Sequence, residues 1–157
     1  MNIRRATVDD AALVATLNLA VHEVHVQGRP DRFKPLAVTD EFVALVRERL
    51  ADETTYVFIG EVDGAAAAYA LVMHYRRPED AFAYEVNFLH IDQMSVNPKY
   101  RGQGYGEQMM NYVRDFARSL GVHRISLSVW AFNERAIAFY ERCGFKTYDR
   151  HMEVFLD

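Results

Sequence analysis

A loop with three glycines constrains the fold of this chain more than any other feature. Residues 96–106 read VNPKYRGQGYG and join a segment that predicts a long strand to an amphipathic segment that predicts a helix. Glycine allows positive φ and a close approach of the backbone to a ligand. The first amides of a helix lack intrahelical partners, and the helix dipole places partial positive charge there. A strand, a glycine loop and a helix in this order therefore predict a site for an anion such as a pyrophosphate.

The spacing of the glycines excludes two common phosphate-binding loops. The segment lacks the G-K-[ST] ending of a Walker loop. Its G-x-G-x-G spacing also differs from the G-x-G-x-x-G of dinucleotide-binding folds. Spacing alone leaves open a flexible connection in which the glycines only shape a turn.

The N-terminal half of the chain predicts a short strand, two helices and a β-hairpin. The strand covers residues 3–6, and Thr7 with Asp10 fits the pattern that starts a helix. Apolar residues recur at helical spacing in both helices, at Leu13, Leu17 and Val21 in the first and at Phe42, Leu45, Val46 and Leu50 in the second. Residues 54–59 and 65–74 predict a hairpin around a tight turn at residues 62–64.

The C-terminal half alternates strands with helices. Residues 82–96 predict a long strand with a bend or a bulge, and the helix after the glycine loop ends at Gly121. A strand over residues 125–129, a short helix over residues 133–142 and a last strand over residues 145–156 follow. The complete order predicts an α/β or α+β sheet protein.

Composition narrows the possible functions. With 157 residues and 18.1 kDa, we expect a single domain over residues 1–157. The formal charge of −4 argues against non-specific nucleic-acid binding and permits cationic substrates. One cysteine excludes an internal disulfide and a cysteine-based zinc cluster. Without a long apolar stretch or a signal-like start, we expect a cytoplasmic protein that binds no membrane.

Two motifs resemble those of the GNAT acetyltransferase superfamily. Residues 101–106, RGQGYG, match the [QR]-x-x-G-x-[GA] signature, and residues 133–145 resemble a second block, N-x-x-A-x-x-F-Y-x-x-x-G-F. The blocks occur in the family's order and, with the preceding strand, span about a third of the chain. The resemblance implies a mixed, mostly antiparallel central sheet that splays around acetyl-CoA, with helices on both faces and no metal.

The same resemblance implies which residues hold acetyl-CoA. The pantetheine arm would pair with the strand backbone at Met94, Ser95 and Val96. The pyrophosphate would lie on the backbone amides of the loop, Arg101, Gly102, Gln103, Gly104, Tyr105 and Gly106. Asn133 would contact the cofactor, and Tyr140 would lie near its sulfur.

Acetyl transfer to an amine requires a neutral nucleophile and a proton for the departing thiolate. A phenol has a pKa of about 10, so Tyr140 would be protonated at pH 7 and able to donate. The alternative for Tyr140 is a half-buried packing role.

The general base is less constrained by sequence. Many family members carry a carboxylate two positions before the residue that Met94 occupies, and Asp92 stands there. In a regular strand His90, Asp92, Met94 and Val96 would share one face, which would direct Asp92 along the cofactor channel. Glu85 and His90 are competing candidates, and a hydrogen bond between His90 and Asp92 is the structural alternative.

The acceptor is predicted only as a class. In the family, the connection between the first two helices often lines the acceptor site, so Asp31 and Phe33 are candidate substrate contacts, although a solvated loop is equally compatible. Glu85 and His90 are further candidate substrate contacts. His22 and His25 would border this pocket or face solvent. The resemblance implies transfer of an acetyl group to a primary amine of a small molecule or peptide, and a possible homodimer. A non-catalytic acyl-CoA sensor and an enzyme with another acyl chain or an oxygen acceptor remain alternatives.

Overall fold

Five strands form one sheet in the order in which they occur along the chain, in a computed structural model that describes residues 1–156. The strands are β1 (Asn2–Arg5), β2 (Thr55–Val62), β3 (Ala65–Arg77), β4 (Val86–Val96) and β5 (Ile125–Leu127). Pairing is antiparallel from β1 to β4 and parallel between β4 and β5. The mixed, mostly antiparallel sheet that the family resemblance implies is therefore confirmed.

Within residues 1–156 four α-helices cover the two faces of the sheet, and these are α1 (Ala11–Gly28), α2 (Asp40–Ala51), α3 (Tyr105–Ser119) and α4 (Glu134–Arg142). On one face Val14 of α1 and Val46 of α2 share a buried cluster with Tyr69 and Leu71 of β3. On the other face the buried side of α3 packs with alternate strand residues, including Ala70 of β3 and Ile91 of β4. The sheet is thus the middle layer between α1–α2 and α3–α4.

Local turn chemistry follows the sequence closely. The hairpin between β2 and β3 turns at Asp63 and Gly64 with φ of 50° and 77°, the left-handed pair of a type I′ turn. Asp10 accepts a hydrogen bond from the Thr7 amide at 2.8 Å, where a short 3₁₀ turn leads into α1. Thr39 accepts a hydrogen bond from the Phe42 amide at 3.2 Å and begins α2.

Several predicted elements differ from the structure. Strand β4 begins at Val86 rather than at residue 82, because the carboxylate of Asp80 accepts the amides of Phe82 and Ala83 in a turn. Strand β5 ends at Leu127 instead of residue 129. Residues 145–156 form no strand, since alternation produces a strand only where a neighbouring edge completes the ladder. On the helices, Leu45 is 57% exposed, and Leu13, Leu17 and Val21 are only half-buried.

A β-bulge in β4 corrects the predicted direction of its side chains. Leu71 pairs with Gln93 and Val72 pairs with Ile91, which leaves Asp92 as the extra residue. His90 lies opposite Met73 on the α1–α2 face, whereas Met94 lies opposite Ala70 on the α3 face. The prediction that His90, Asp92, Met94 and Val96 share one face is therefore wrong, because an extra residue reverses the alternation.

Candidate active site

The sheet opens beside the C-terminal end of β4. Strand β5 pairs with β4 only from Leu89 to Ile91, while Met94, Ser95 and Val96 pair with β3 on their other side. Within residues 1–156 no strand covers this edge of β4 beyond Ile91. An uncovered strand edge presents backbone donors and acceptors that an extended, amide-containing ligand can use. The Val96 carbonyl already accepts a hydrogen bond from Arg101 Nε at 3.0 Å.

The glycine loop continues directly from this edge into α3. Gly102 and Gly104 have φ of 77° and 78°, and open space lies where a Cβ would stand at each. Gly104 is the N-cap of α3, so the amides of the first turn face the loop. A Cβ on Gly106 would lie 3.1 Å from the Phe139 ring, which shows how closely α3 packs on α4. Left-handed glycines before a helix N-terminus form a concave, amide-lined site suited to a phosphate.

Two arginines add positive charge at this loop. Burial lowers the pKa of Arg101, and the nearby positive charge of Arg135 lowers it further. Neither guanidinium forms an ion pair within the described part of the chain. Two neighbouring cations without a carboxylate favour an anionic ligand. Arg135 was missed by the sequence reasoning, and its position two residues after Asn133 was the available signal.

Helix α4 places Asn133 and Tyr140 behind the opening. Asn133 Oδ1 accepts the Ala136 amide at 3.2 Å and caps the helix. Tyr140 packs between Phe139 and Phe145, with ring centroids 5.4 and 5.9 Å away. Burial raises the pKa of Tyr140 to about 12, so its phenol keeps its proton at neutral pH. None of the side-chain hydrogen bonds within residues 1–156 involves this hydroxyl, and no buried polar side-chain atom there lacks a partner, so the hydroxyl is accessible and can donate to a ligand.

The bulge places Asp92 at the boundary between the opening and α2. Its carboxylate lies 3.4 Å from Arg49 Nη1, and its side chain is 33% exposed. His90 instead pairs with Ser126, at 3.0 Å between Nδ1 and Oγ, so the alternative hydrogen bond between His90 and Asp92 does not form. Burial lowers the pKa of His90, which favours the neutral ring. Glu85 precedes β4 and is exposed.

An aromatic wall encloses the α1 side of the cleft. The Phe33 ring lies 5.2 Å from His25 and 5.7 Å from Trp130 between centroids. Burial lowers the pKa of His25 and the nearby His22 lowers it further, whereas nearby Asp92 raises it. His25 is therefore close to both the Phe33 ring and the Asp92 carboxylate.

Two arginines stack on Trp130 at the outer end of this wall. The guanidinium carbons of Arg29 and Arg32 lie 5.4 and 5.3 Å from its ring centroid. The Asp31 carboxylate is engaged by Arg29 Nη2 at 2.8 Å, and Arg29 Nη1 pairs with Glu153. The predicted contact of Asp31 with the acceptor would therefore compete with this ion pair. Neither Trp130 nor Arg49 could be singled out from sequence, because the contacts of both residues join segments that are distant along the chain.

Two possible features are absent from the described residues. Among residues 1–156 no three His, Cys, Asp or Glu side chains are grouped as a metal ion would require. None of the helices in that same range has the length and apolar character needed to cross a bilayer.

Comparison with known proteins identifies the family. The model of the Acetyltransferase (GNAT) family matches residues 19–145. Streptothricin acetyltransferase of Streptomyces lavendulae is 35% identical over 60% of this chain and 46% of its own length. Glucosamine 6-phosphate N-acetyltransferase of Trypanosoma brucei brucei is 33% identical over 41% of this chain and 42% of its own. The chain thus spans less than half the length of these curated relatives.

Solved structures extend the similarity to nearly the whole chain. The tetramutant of the BH1408 protein from Bacillus halodurans has a TM-score of 0.90 at 28% identity, covering 99% of this chain and 100% of that one. An acetyltransferase from Clostridium acetobutylicum with acetyl-CoA has a TM-score of 0.69 at 19% identity, over 98% and 95% of the two chains, and shows the shared fold. The family model, the relatives and the open sheet beside a glycine loop agree, and this chain belongs to the GNAT acetyltransferase family.

Proposed function

We propose that this chain is an N-acetyltransferase that moves the acetyl group of acetyl-CoA to a primary amine of a small molecule or peptide by direct attack. One observation carries the proposal, namely that the uncovered edge of β4 at Met94–Val96 continues into a loop whose glycines precede a helix N-terminus. An extended amide chain that ends in a pyrophosphate matches these two adjoining surfaces.

The residues present fit acetyl-CoA, which when bound supplies an acetyl group activated as a thioester. Met94, Ser95 and Val96 would pair with the pantetheine amides. The backbone amides from Arg101 to Gly106 would hold the pyrophosphate, with Arg101 and Arg135 balancing its charge. Asn133 already caps α4 with its side chain, so its contact with the cofactor stays a prediction.

Two side chains account for the proton movements. An amine with a pKa of about 10.4 is almost entirely protonated at pH 7, so it must lose a proton before it can attack. Asp92 receives that proton directly or through water, because its carboxylate is partly solvent-accessible beside the opening. Tyr140 donates the Oη proton to the leaving thiolate, a role supported by its unused hydroxyl and by a raised pKa that keeps the phenol protonated at neutral pH.

The relatives support an amine acceptor without identifying it. Three carry names that specify streptothricin, glucosamine 6-phosphate and spermidine. All three are amines that otherwise differ in chemistry. The acceptor of this chain must therefore be inferred from its own residues. The single domain, the cytoplasmic location and the homodimer stay predictions.

The test is acceptor-dependent thiol release from acetyl-CoA, with polyamines, aminoglycosides, amino acids and short peptides as acceptors. A control without acceptor corrects for hydrolysis and for the thiol of Cys143. Product formation with an amine supports the proposal, and parallel assays with longer acyl-CoA chains and with hydroxyl acceptors separate it from the other transferases. Acetyl-CoA binding without turnover on any acceptor would favour the acyl-CoA sensor instead.

A further inference from the structure

A cavity between α1, α2 and the sheet adjoins the candidate active site. Its volume is about 220 Å³, and its walls are mostly apolar, with Val14, Phe42, Val46, Val57 and Leu71 among them. An engineered apolar cavity of about 150 Å³ holds a benzene molecule, so this cavity has room for a branched aliphatic chain or a phenyl ring. Its rim lies at the surface, where Leu45 is 57% exposed.

The cavity ends at the bulge of β4 through two polar connections. Asn18 lines the cavity and donates to Gln93 Oε1 at 2.6 Å, and Tyr69 donates to the same oxygen at 2.8 Å. Arg49 also lines the cavity, and it pairs with Asp92, the residue before Gln93. The apolar space therefore meets one cation and one carboxylate at the place where the amine would be deprotonated.

The pair between Arg49 and Asp92 is loose. A single N···O contact of 3.4 Å joins the two groups, whereas strong charge-assisted bonds measure about 2.7–2.9 Å. Their side chains are 47% and 33% exposed, so water screens the attraction. A ligand that carries both charges could replace this contact and leave each group with a better partner.

We propose that the acceptor is a free α-amino acid with an apolar side chain. Its carboxylate binds Arg49, its ammonium group lies at Asp92, and its side chain enters the cavity. A guanidinium binds a carboxylate through two parallel hydrogen bonds, which fixes the orientation of the α-amine. This assignment rests on the proposed function and specifies the class of its acceptor.

The transfer balances in atoms and charge. The ammonium group passes one proton to Asp92, and its nitrogen forms a bond to the acetyl carbon. The bond from that carbon to sulfur breaks, and the sulfur receives the Oη proton of Tyr140. The new amide loses a second nitrogen proton, which restores the phenol. The products are the N-acetylamino acid, the free thiol and one proton released to solvent.

The first test compares acids with esters on the intact chain. We expect leucine, methionine and phenylalanine to react with kcat/KM roughly 100-fold above that of alanine, because the added methylenes fill the cavity. Leucine methyl ester, which lacks the carboxylate, should fall about tenfold or more below leucine. Arg49→Ala should remove the preference for acid over ester. Arg47→Ala, on the same helix at an exposed position, should retain it.

The second test changes the cavity. Val46→Phe fills part of the cavity with a phenyl ring and should lower kcat/KM for phenylalanine while sparing alanine, which removes the preference for the larger side chain. A thermal unfolding midpoint near that of the parent shows that the variant folds. The comparison of Arg49 with Arg47 concerns exposed side chains and does not depend on the core.

Direct binding separates failure of this inference from failure of the proposed function. Calorimetric binding of leucine that Arg49→Ala abolishes and Arg47→Ala retains supports the inference even if no turnover is found. Acetylation of polyamines or aminoglycosides together with no leucine binding overturns it while upholding the proposed function. Equal kcat/KM for leucine and its methyl ester also overturns it.

Discussion

The two sides of the cleft are built from different kinds of structure. The cofactor side consists of the β4 edge at Met94–Val96, the glycine loop and α4, and it presents mainly backbone groups from two stretches of sequence. The acceptor side consists of α1, α2, the bulge at Asp92, Phe33 and Trp130, and it presents side chains from five separate segments.

This difference separates phosphate binding, which backbone amides can perform in many sequences, from acceptor recognition, which depends on particular side chains. Backbone amides are present in every sequence, so glycines and a helix start suffice to specify a phosphate site. Specificity for an acceptor requires particular side chains at particular distances, such as the 3.4 Å between Arg49 and Asp92. Variants on the cofactor side should therefore change cofactor affinity, and variants on the acceptor side should change turnover or acceptor choice.

The largest effect is expected from Gly104→Val. At φ of 78° a β-branched residue is strained, and relief of that strain shifts the backbone amides that start α3. Loss of about two charge-assisted amide bonds should weaken acetyl-CoA binding about 100-fold or more, as measured by calorimetry.

The matched control for Gly104 is Gly64→Val. Gly64 has φ of 77° in the β2–β3 hairpin, with open space around it, so the backbone strain is similar. Both variants should lose about 1–2 kcal/mol of unfolding free energy, and only the first should lose acetyl-CoA affinity. Equal loss of affinity in the two would place the effect in stability rather than in the loop.

Tyr140→Phe should reduce turnover while sparing cofactor affinity. Removal of a general acid typically costs about 100-fold or more in kcat, and the aromatic packing against Phe139 and Phe145 remains. Because the pKa of Tyr140 is raised to about 12, its deprotonation should produce no fall in rate near neutral pH. Tyr148→Phe, at an 84% exposed tyrosine, is the control for the substitution itself. An unchanged kcat in Tyr140→Phe would remove this phenol from the chemistry.

The cofactor side could be predicted from sequence better than the acceptor side, for a physical reason. The glycine loop, the stop of α3 at Gly121 and the hairpin turn are encoded by residues that are adjacent in sequence, and the structure has all three. The bulge was expected, but its position at Asp92 depends on the register of β3 against β4, which no local pattern contains. Arg49 is 43 residues from Asp92, and only the packed fold brings them together.

The last predicted strand illustrates the same limit. Residues 145–156 alternate as a strand does, yet Tyr148 and Met152 are 84% and 92% exposed and lie in no ladder. Alternation indicates that a segment can form a strand, while hydrogen bonding to a neighbour decides whether it does.

On the acceptor side, Asp92→Asn should lower kcat/KM by about 10- to 100-fold and shift the pH–rate profile. The loss is expected to be smaller than for Tyr140→Phe, because the side chain is 33% exposed and water can accept the proton in its place. Glu48→Gln, an exposed carboxylate on α2, should leave the profile unchanged. A profile that does not move in Asp92→Asn would transfer the role of base to another group.

The smallest effect is expected from Asp10→Asn, which breaks the contact between β1 and the start of α1. Arg4 of β1 donates two hydrogen bonds of 2.8 Å to the Asp10 carboxylate ahead of α1, and these lower the pKa of Asp10 from 3.8 to about 2. Asp10→Asn should cost about 1 kcal/mol, reduced from the full linkage value because Arg4 is partly exposed.

The pH dependence of this cost has a definite sign. The native carboxyl has the lower pKa, so its stabilisation is complete above the unfolded value of 3.8 and disappears as the pH falls through about 2. Denaturant titrations of Asp10→Asn and the parent should therefore differ at neutral pH and converge toward pH 2. Asp115→Asn, which breaks an exposed pair with Arg118, should change stability much less. Asp10 lies on the opposite side of the sheet from α3, the helix that follows the glycine loop. We therefore expect Asp10→Asn to leave acetyl-CoA affinity unchanged. A weaker affinity in this variant would show that the cofactor side and the acceptor side are energetically coupled.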